Sequence, residues 1–194
     1  MAPSRSQEPL VWIDCEMTGL DVERDTIMSI SCFLTSPHLE LLDDQGWDAI
    51  IHHDKSTLDQ MNEWCINTHG KSGLTAATIA SSTTAEVAAD GLLAYIKQNI
   101  HQPRKALLAG NSVHCDKEFL KKAPYNKIID YLGHRILDVS SIKEAARRWA
   151  PTEILEQVPK KQGLHQARED ILESIEEARF YRHVFFQTGE AGKN

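Results

Sequence analysis

The sequence predicts an α/β domain, a mixed five-stranded sheet flanked by helices. Three observations predict it. Three β-rich segments follow one another with short links, helical and strand-like segments then alternate, and the chain closes on a long helix with three-four apolar spacing. The 194 residues suit one domain, long enough to bury about 70% of its unfolded surface. No internal repeat, linker or low-complexity tract interrupts them. Residues 9–187 therefore read as one domain, and 1–8 and 188–194 as polar, disordered tails.

The first strand enters from Pro9 and runs to Glu16. Val11, Ile13 and Cys15 face one way, and Trp12, Asp14 and Glu16 face the other. Ile27–Leu34 and Trp47–His52 supply two more strands, and the short links predict an antiparallel meander. Ser56 with Asp59 resembles a capping box, predicting a helix toward Thr68 that stops at Gly70. A longer helix starts at Thr84, where Ala88, Leu92, Ile96 and Ile100 recur every four residues. Ala106–Gly110 is a short apolar strand. Short helices follow over Cys115–Lys122 and Asn126–Leu132, then a last strand over Arg135–Val139. Ser141–Trp149 is a helix stopped by Pro151, Thr152–Gly163 a loop, and Gln166–Phe186 the closing helix. The expected sheet is three antiparallel strands followed by two parallel ones.

Composition narrows the function classes. No apolar run reaches the length of a membrane span, about 18 residues. The net charge of −7 and basic clusters no larger than pairs argue against tight binding along an extended polyanion. A short anionic substrate held through metal ions remains compatible. Four cysteines, at 15, 32, 65 and 115, form no C-x-x-C pair and read as reduced thiols. Met1–Glu8 has no apolar signal core, so an intracellular protein, cytoplasmic or mitochondrial, is expected.

The chemistry starts at Asp14-Cys15-Glu16. A period of two puts both carboxylates on one face, their Cα atoms about 6.6 Å apart. In an otherwise apolar, central strand this is costly unless something positive sits there, and a divalent cation with oxygen ligands resolves it. The competing reading is an edge strand with a solvated pair. Asp116 follows the fourth strand, where functional groups of α/β sheets gather; alone, it also reads as an acid at a helix N-terminus. His165 and Asp170 open the last helix. As isolated residues they read as a surface histidine and a first-turn acid.

Together these residues form a pattern: D-x-E on the first strand, an Asp after the fourth, and H-x4-D at the last helix. The pattern resembles the DEDDh exonucleases, which share a ribonuclease H-like fold. Trp12–Leu20, Gly110-Asn111-Ser112, Leu137–Ser140 and Gly163–Ala167 are similar to the matching strings of the oligoribonucleases within that family. The resemblance extends from Pro9 to Gln187.

The resemblance implies removal of nucleotides from the 3′ end of short single-stranded RNA, from dinucleotides to about five nucleotides, by two-metal hydrolysis. Two Mg²⁺ or Mn²⁺ ions would be bridged by Asp14. Glu16 and Asp170 would complete the ion on the nucleophile side, Asp116 would support the other, and His165 would take the proton from the attacking water. Four carboxylates and two divalent ions balance in charge, so an acidic protein can hold an anion. Leu20 matches a family wedge at the bases, Trp64 a stacking face and His69 a substrate contact, although Trp64 also reads as a core residue of the Ser56 helix. Ser112 matches a group that holds the 5′ phosphate. The resemblance further implies a homodimer whose partner completes the substrate pocket. Cys115 departs from the commoner Gln. His134 departs from a commoner Tyr contributed by the partner, which puts a strict dinucleotide preference in doubt. Two alternatives remain: an exonuclease acting on longer RNA or DNA ends, and an inactive nucleic-acid-binding protein on the same fold.

Overall fold

The computed structural model describes residues 6–160 and 167–186. Its strands are β1 (Leu10–Met17), β2 (Ile27–Thr35), β3 (Trp47–Ile50), β4 (Leu107–Gly110) and β5 (Ile136–Asp138). They form one sheet in the order β3-β2-β1-β4-β5. The first three pair antiparallel, while β4 pairs parallel with β1 and β5 parallel with β4. This is the mixed topology that the sequence predicts, and it makes β1 the central strand.

The alternation along β1 sorts the core into two layers. Val11, Ile13 and Cys15 pack with Ala88, Leu92 and Ile96 of α4 (Ala85–Asn99), Phe119 and Leu120 of α5 (His114–Leu120), and Ile128 of α6 (Asn126–Tyr131). Leu10 and Trp12 pack on the other face, against Val139 and Ala146 of α7 (Val139–Trp149) and Ile171, Ile175, Ala178 and Tyr181 of α9 (Ala167–Tyr181). Trp12 is fully buried, and its indole N–H donates to Thr35 Oγ1 at 3.0 Å. Asp14 and Glu16 continue the Leu10–Trp12 row, so they point toward the layer that carries α9.

Several boundaries depart from the sequence reading. The helix expected from Ser56 to Thr68 is two helices, α1 (Lys55–Leu58) and α2 (Glu63–Ser72). Asp59 pairs with Lys55 rather than closing a capping box, and the side chain of Asn62 caps α2 by accepting from Cys65 N at 2.9 Å. Gly70 lies inside α2. The stop is Gly73, whose φ of +82° suits glycine and leads into α3 (Leu74–Ala80), a helix the reading missed. The expected loop Thr152–Gly163 begins with a short helix, α8 (Thr152–Leu155), and the closing helix ends in a π-turn over Arg182–Phe186. Among the described residues, no helix is long and apolar enough to cross a membrane.

Candidate active site

The site lies where β1 and β4 part. They pair from Leu10 with Leu107 to Trp12 with Ala109, and their ladder goes no further. Beyond that point the β4-facing edge of β1 opens a crevice at the carboxyl ends of two parallel strands, the usual place for function in such sheets. Asp116, on the first turn of α5, reaches into it, and its Oδ1 accepts the backbone N–H of Cys15 at 2.9 Å. The buried carboxylate therefore satisfies the backbone between the two acids of D-x-E.

On the α9 face, Asp14, Glu16 and Asp170 each offer a carboxylate oxygen, and these oxygens all lie within 4.8 Å of one another. Asp14 comes from a strand position opposite Ser31, Glu16 from one opposite Ser29, and Asp170 from the first turn of α9. Ile171 next to it is buried in the α9 core layer, which fixes how the helix presents Asp170. Asp116 is not a member of this trio.

The electrostatics of the trio calls for a cation. Burial, then the charges of Asp170 and Asp116, push the Glu16 carboxyl up to about 8. Burial likewise raises Asp116, against the lowering pull of its backbone hydrogen bonds. Acids held together at such a cost in ionisation suit a hard divalent ion, which removes the repulsion and takes oxygen ligands. Oxygens on opposite sides of one such ion stand about 4.2 Å apart, close to the spread of the trio. The donor set therefore fits a divalent metal.

A cleft of about 380 Å³ adjoins the trio, lined by Cys15, Glu16, Met17, Gly19, Leu20, Asn62, Trp64, Cys65 and His69. Leu20 is 76% exposed and Trp64 57% exposed, so Trp64 is not the core residue of the alternative reading. His69 is buried. Its Nε2 donates to Met17 O at 2.9 Å, its Nδ1 stands 3.9 Å from Glu16 Oε2, and its ring meets Trp64 edge-on at 6.5 Å between centroids. The structure thus joins Leu20, Trp64 and His69 to the wall that carries Glu16.

Ser112 is exposed and sits at the carboxyl end of β4 with a φ of +51°. Its N–H donates to Asp138 Oδ1 at 3.0 Å and to Ser140 Oγ at 2.9 Å. His134 is exposed before β5, and its carbonyl accepts from Lys117 Nζ. Neither it nor Ser112 lines the 380 Å³ cleft. Cys115 is partly exposed, with its Sγ 3.4 Å from His114 Nε2. His165 lies outside the described residues, as do residues 1–5 and 188–194 of the expected tails.

Sequence reasoning missed Asn62 and Ser140. Asn62 followed by Glu63 is an N-cap signature that the apparent box at Ser56 overshadowed. Ser140, in the first turn of α7, holds Ser112; the string Leu137–Ser140 contains it, but nothing local announces the contact.

Comparison with known proteins places these features in context. Residues 11–178 match the RNase T family model, described as an exonuclease. The chain is 47% identical over 181 residues to a probable oligoribonuclease of Schizosaccharomyces pombe, covering 92% of this chain and 69% of that one. It is 44% identical to the mitochondrial oligoribonuclease of Homo sapiens over 92% of this chain and 73% of that one. It is 43% identical to the oligoribonuclease of Pseudoalteromonas translucida over 91% of this chain and 95% of that one. Among solved structures, the zinc-bound complex of E. coli exonuclease I with single-stranded DNA superposes with a TM-score of 0.66 at 11% identity, covering 92% of this chain and 41% of that one. At that identity the likeness is one of fold, and this chain spans about two fifths of exonuclease I.

Proposed function

The chain belongs to the RNase T exonuclease family and, within it, to the oligoribonucleases, and from that premise we propose that it shortens short oligoribonucleotides from their 3′ ends at the β1–α9 carboxylates. The observation that carries this reading is the convergence of Asp14, Glu16 and Asp170 beside the cleft under Leu20 and Trp64. The activity is that of a divalent-metal-dependent 3′-to-5′ exoribonuclease. The ions are two, Mg²⁺ or Mn²⁺.

Bound there, the metal supplies Lewis-acid activation of the water and charge compensation at the scissile phosphate. Asp14, Glu16 and Asp170 would hold the ions from the β1–α9 side. Asp116 completes the set from the crevice, its orientation fixed by the Cys15 N–H. Leu20 and Trp64 engage the bases; stacking tolerates any base and contributes about 1–3 kcal/mol for each. His69 stiffens this wall through Met17 and keeps its second nitrogen toward Glu16. Ser112 receives the 5′ phosphate, which ties the enzyme to substrates short enough to reach from Ser112 to the carboxylates. His165 accepts the proton of the attacking water.

The protein acts as a homodimer inside the cell, in the cytoplasm or the mitochondrion, with His134 of the partner subunit finishing the pocket. His134 and Cys115, in place of the family's Tyr and Gln, weaken the 5′ cap and relax a strict preference for dinucleotides. The experiment is a length series of 5′-phosphorylated oligoribonucleotides from two to twenty residues with Mg²⁺. Turnover that falls steeply beyond about five nucleotides supports the reading, and flat turnover across the series contradicts it.

A further inference from the structure

One buried acid has no part in the chemistry described so far. Glu177 is 1% exposed and lies seven residues after Asp170, two turns along the same face of α9. One of its oxygens accepts from Tyr181 Oη at 3.1 Å and pairs with Lys143 Nζ at 3.3 Å. The other accepts from Asn111 Nδ2 at 3.3 Å.

The bonds run on from Asn111 in both directions. Its Nδ2 also donates to Ser174 Oγ at 2.7 Å, and Ser174 Oγ donates to the carbonyl of Asp170 at 2.6 Å. Its Oδ1 accepts from Ser140 Oγ at 3.0 Å, and Ser140 Oγ accepts the N–H of Ser112 at 2.9 Å. The donor and acceptor directions interlock. A carboxylate only accepts, so Glu177 makes Asn111 present its NH₂ to α9. That leaves the amide oxygen for Ser140, whose hydroxyl proton is then committed and whose lone pairs face Ser112. The left-handed backbone of Ser112, unfavourable for a non-glycine residue, is held by this acceptor and by Asp138.

On the footing of the proposed function, we infer that Glu177 is a positioning residue that sets the polarity of the Asn111 amide and so locks the metal-binding end of α9 to the Ser112 loop that receives the 5′ phosphate. The consequence is specificity. Substrate length is measured between Asp170 and Ser112, and the Glu177–Asn111 pair keeps the two ends in fixed register.

The test compares KM for pApA with KM for its 5′-hydroxyl counterpart ApA, with Tm recorded for every variant. Glu177→Gln replaces one oxygen by an NH₂ that meets a donor on either side, Asn111 or Lys143. It lowers the wild-type preference for the 5′-phosphorylated dinucleotide about fivefold, the effect of one hydrogen bond lost or reversed. A simple charge effect has the opposite sign, because removing a negative charge favours the phosphate. Ser174→Ala, which deletes a single hydroxyl from the same chain of bonds, lowers it in the same direction and serves if Glu177→Gln does not fold. A preference that stays within twofold of wild type or rises in Glu177→Gln overturns the inference, as does an unchanged one in Ser174→Ala. Wild-type protein that hydrolyses neither dinucleotide contradicts the proposed function itself, whereas active wild type with unmoved ratios contradicts only the role of Glu177.

Discussion

Asp116 accepts the main-chain N–H of Cys15 at 2.9 Å, so a helix that starts at the end of β4 holds the strand between the two acids of its D-x-E sequence. The bond uses one carboxylate oxygen, which Asn also possesses. Asp116→Asn is therefore expected to keep its fold, with an unchanged or higher Tm in metal-free buffer because a buried charge is lost, and to reduce nucleotide release by about 10²-fold or more, because the metal that offsets the phosphate charge is held less well. Asp116→Ala strands the Cys15 N–H and costs about 1–3 kcal/mol of stability as well. Thermal melts with turnover assays on both variants check this.

The Glu16 carboxyl, pushed up to about 8 by burial and by Asp170 and Asp116, makes stability depend on pH. The folded state holds this proton more tightly than the unfolded state, whose Glu titrates near about 4.3. Its contribution is therefore fully present below that value and is lost as pH rises through about 8. Metal-free protein should melt progressively lower from pH 5 to pH 8.5. Added Mg²⁺ or Mn²⁺ should raise Tm more at pH 8.5 than at pH 6, because the ligands must shed protons to bind it. A metal-induced shift equal at both pH values contradicts this.

Trp64 is 57% exposed, so its removal should spare the fold. Trp64→Ala is expected to change Tm by less than about 2 °C, as exposed substitutions do. It should raise KM for dinucleotides about tenfold, the loss of one base stack. Steady-state kinetics on pApA with a parallel melt decide it.

Gly19 precedes Leu20 at the mouth of the cleft. A Cβ there would lie 2.3 Å from Asp25 Oδ2, and Asp25 is held by Thr18 Oγ1 and the Asp21 N–H, both at 2.9 Å. Gly19→Ala must dislodge that carboxylate and with it the loop carrying Leu20. KM should rise severalfold while kcat at saturation changes less, because the metal-binding carboxylates are elsewhere.

The sheet was legible in the sequence because its signals are periodic. Alternation along β1 separated Val11, Ile13 and Cys15 from Trp12, Asp14 and Glu16, and the two core layers follow that division. The four-residue recurrence from Ala88 to Ile96 placed α4. The segment from Ser56 to Ala80 was misread because capping signals compete. Ser56 and Asp59 imitate a box, yet Asn62 caps α2 and Gly73, not Gly70, ends it. The D-x-E pair was readable from strand period alone. Asp116 was not, since an acid at a helix N-terminus looks the same whether it serves the helix dipole or a strand 101 residues away. The Asn111–Glu177 contact spans 66 residues, and no local pattern announces such a bond.

We propose that one carboxylate from α9 joins two from β1 around a divalent ion. Calorimetric titration of Mn²⁺ into wild type and Asp170→Asn, alongside melts that establish folding, tests it most directly. Folded Asp170→Asn should bind Mn²⁺ at least about tenfold more weakly than wild type, as loss of a ligand to such a site does, and should release no mononucleotide from pApA. Folded Asp170→Asn with wild-type Mn²⁺ affinity and turnover would contradict the account.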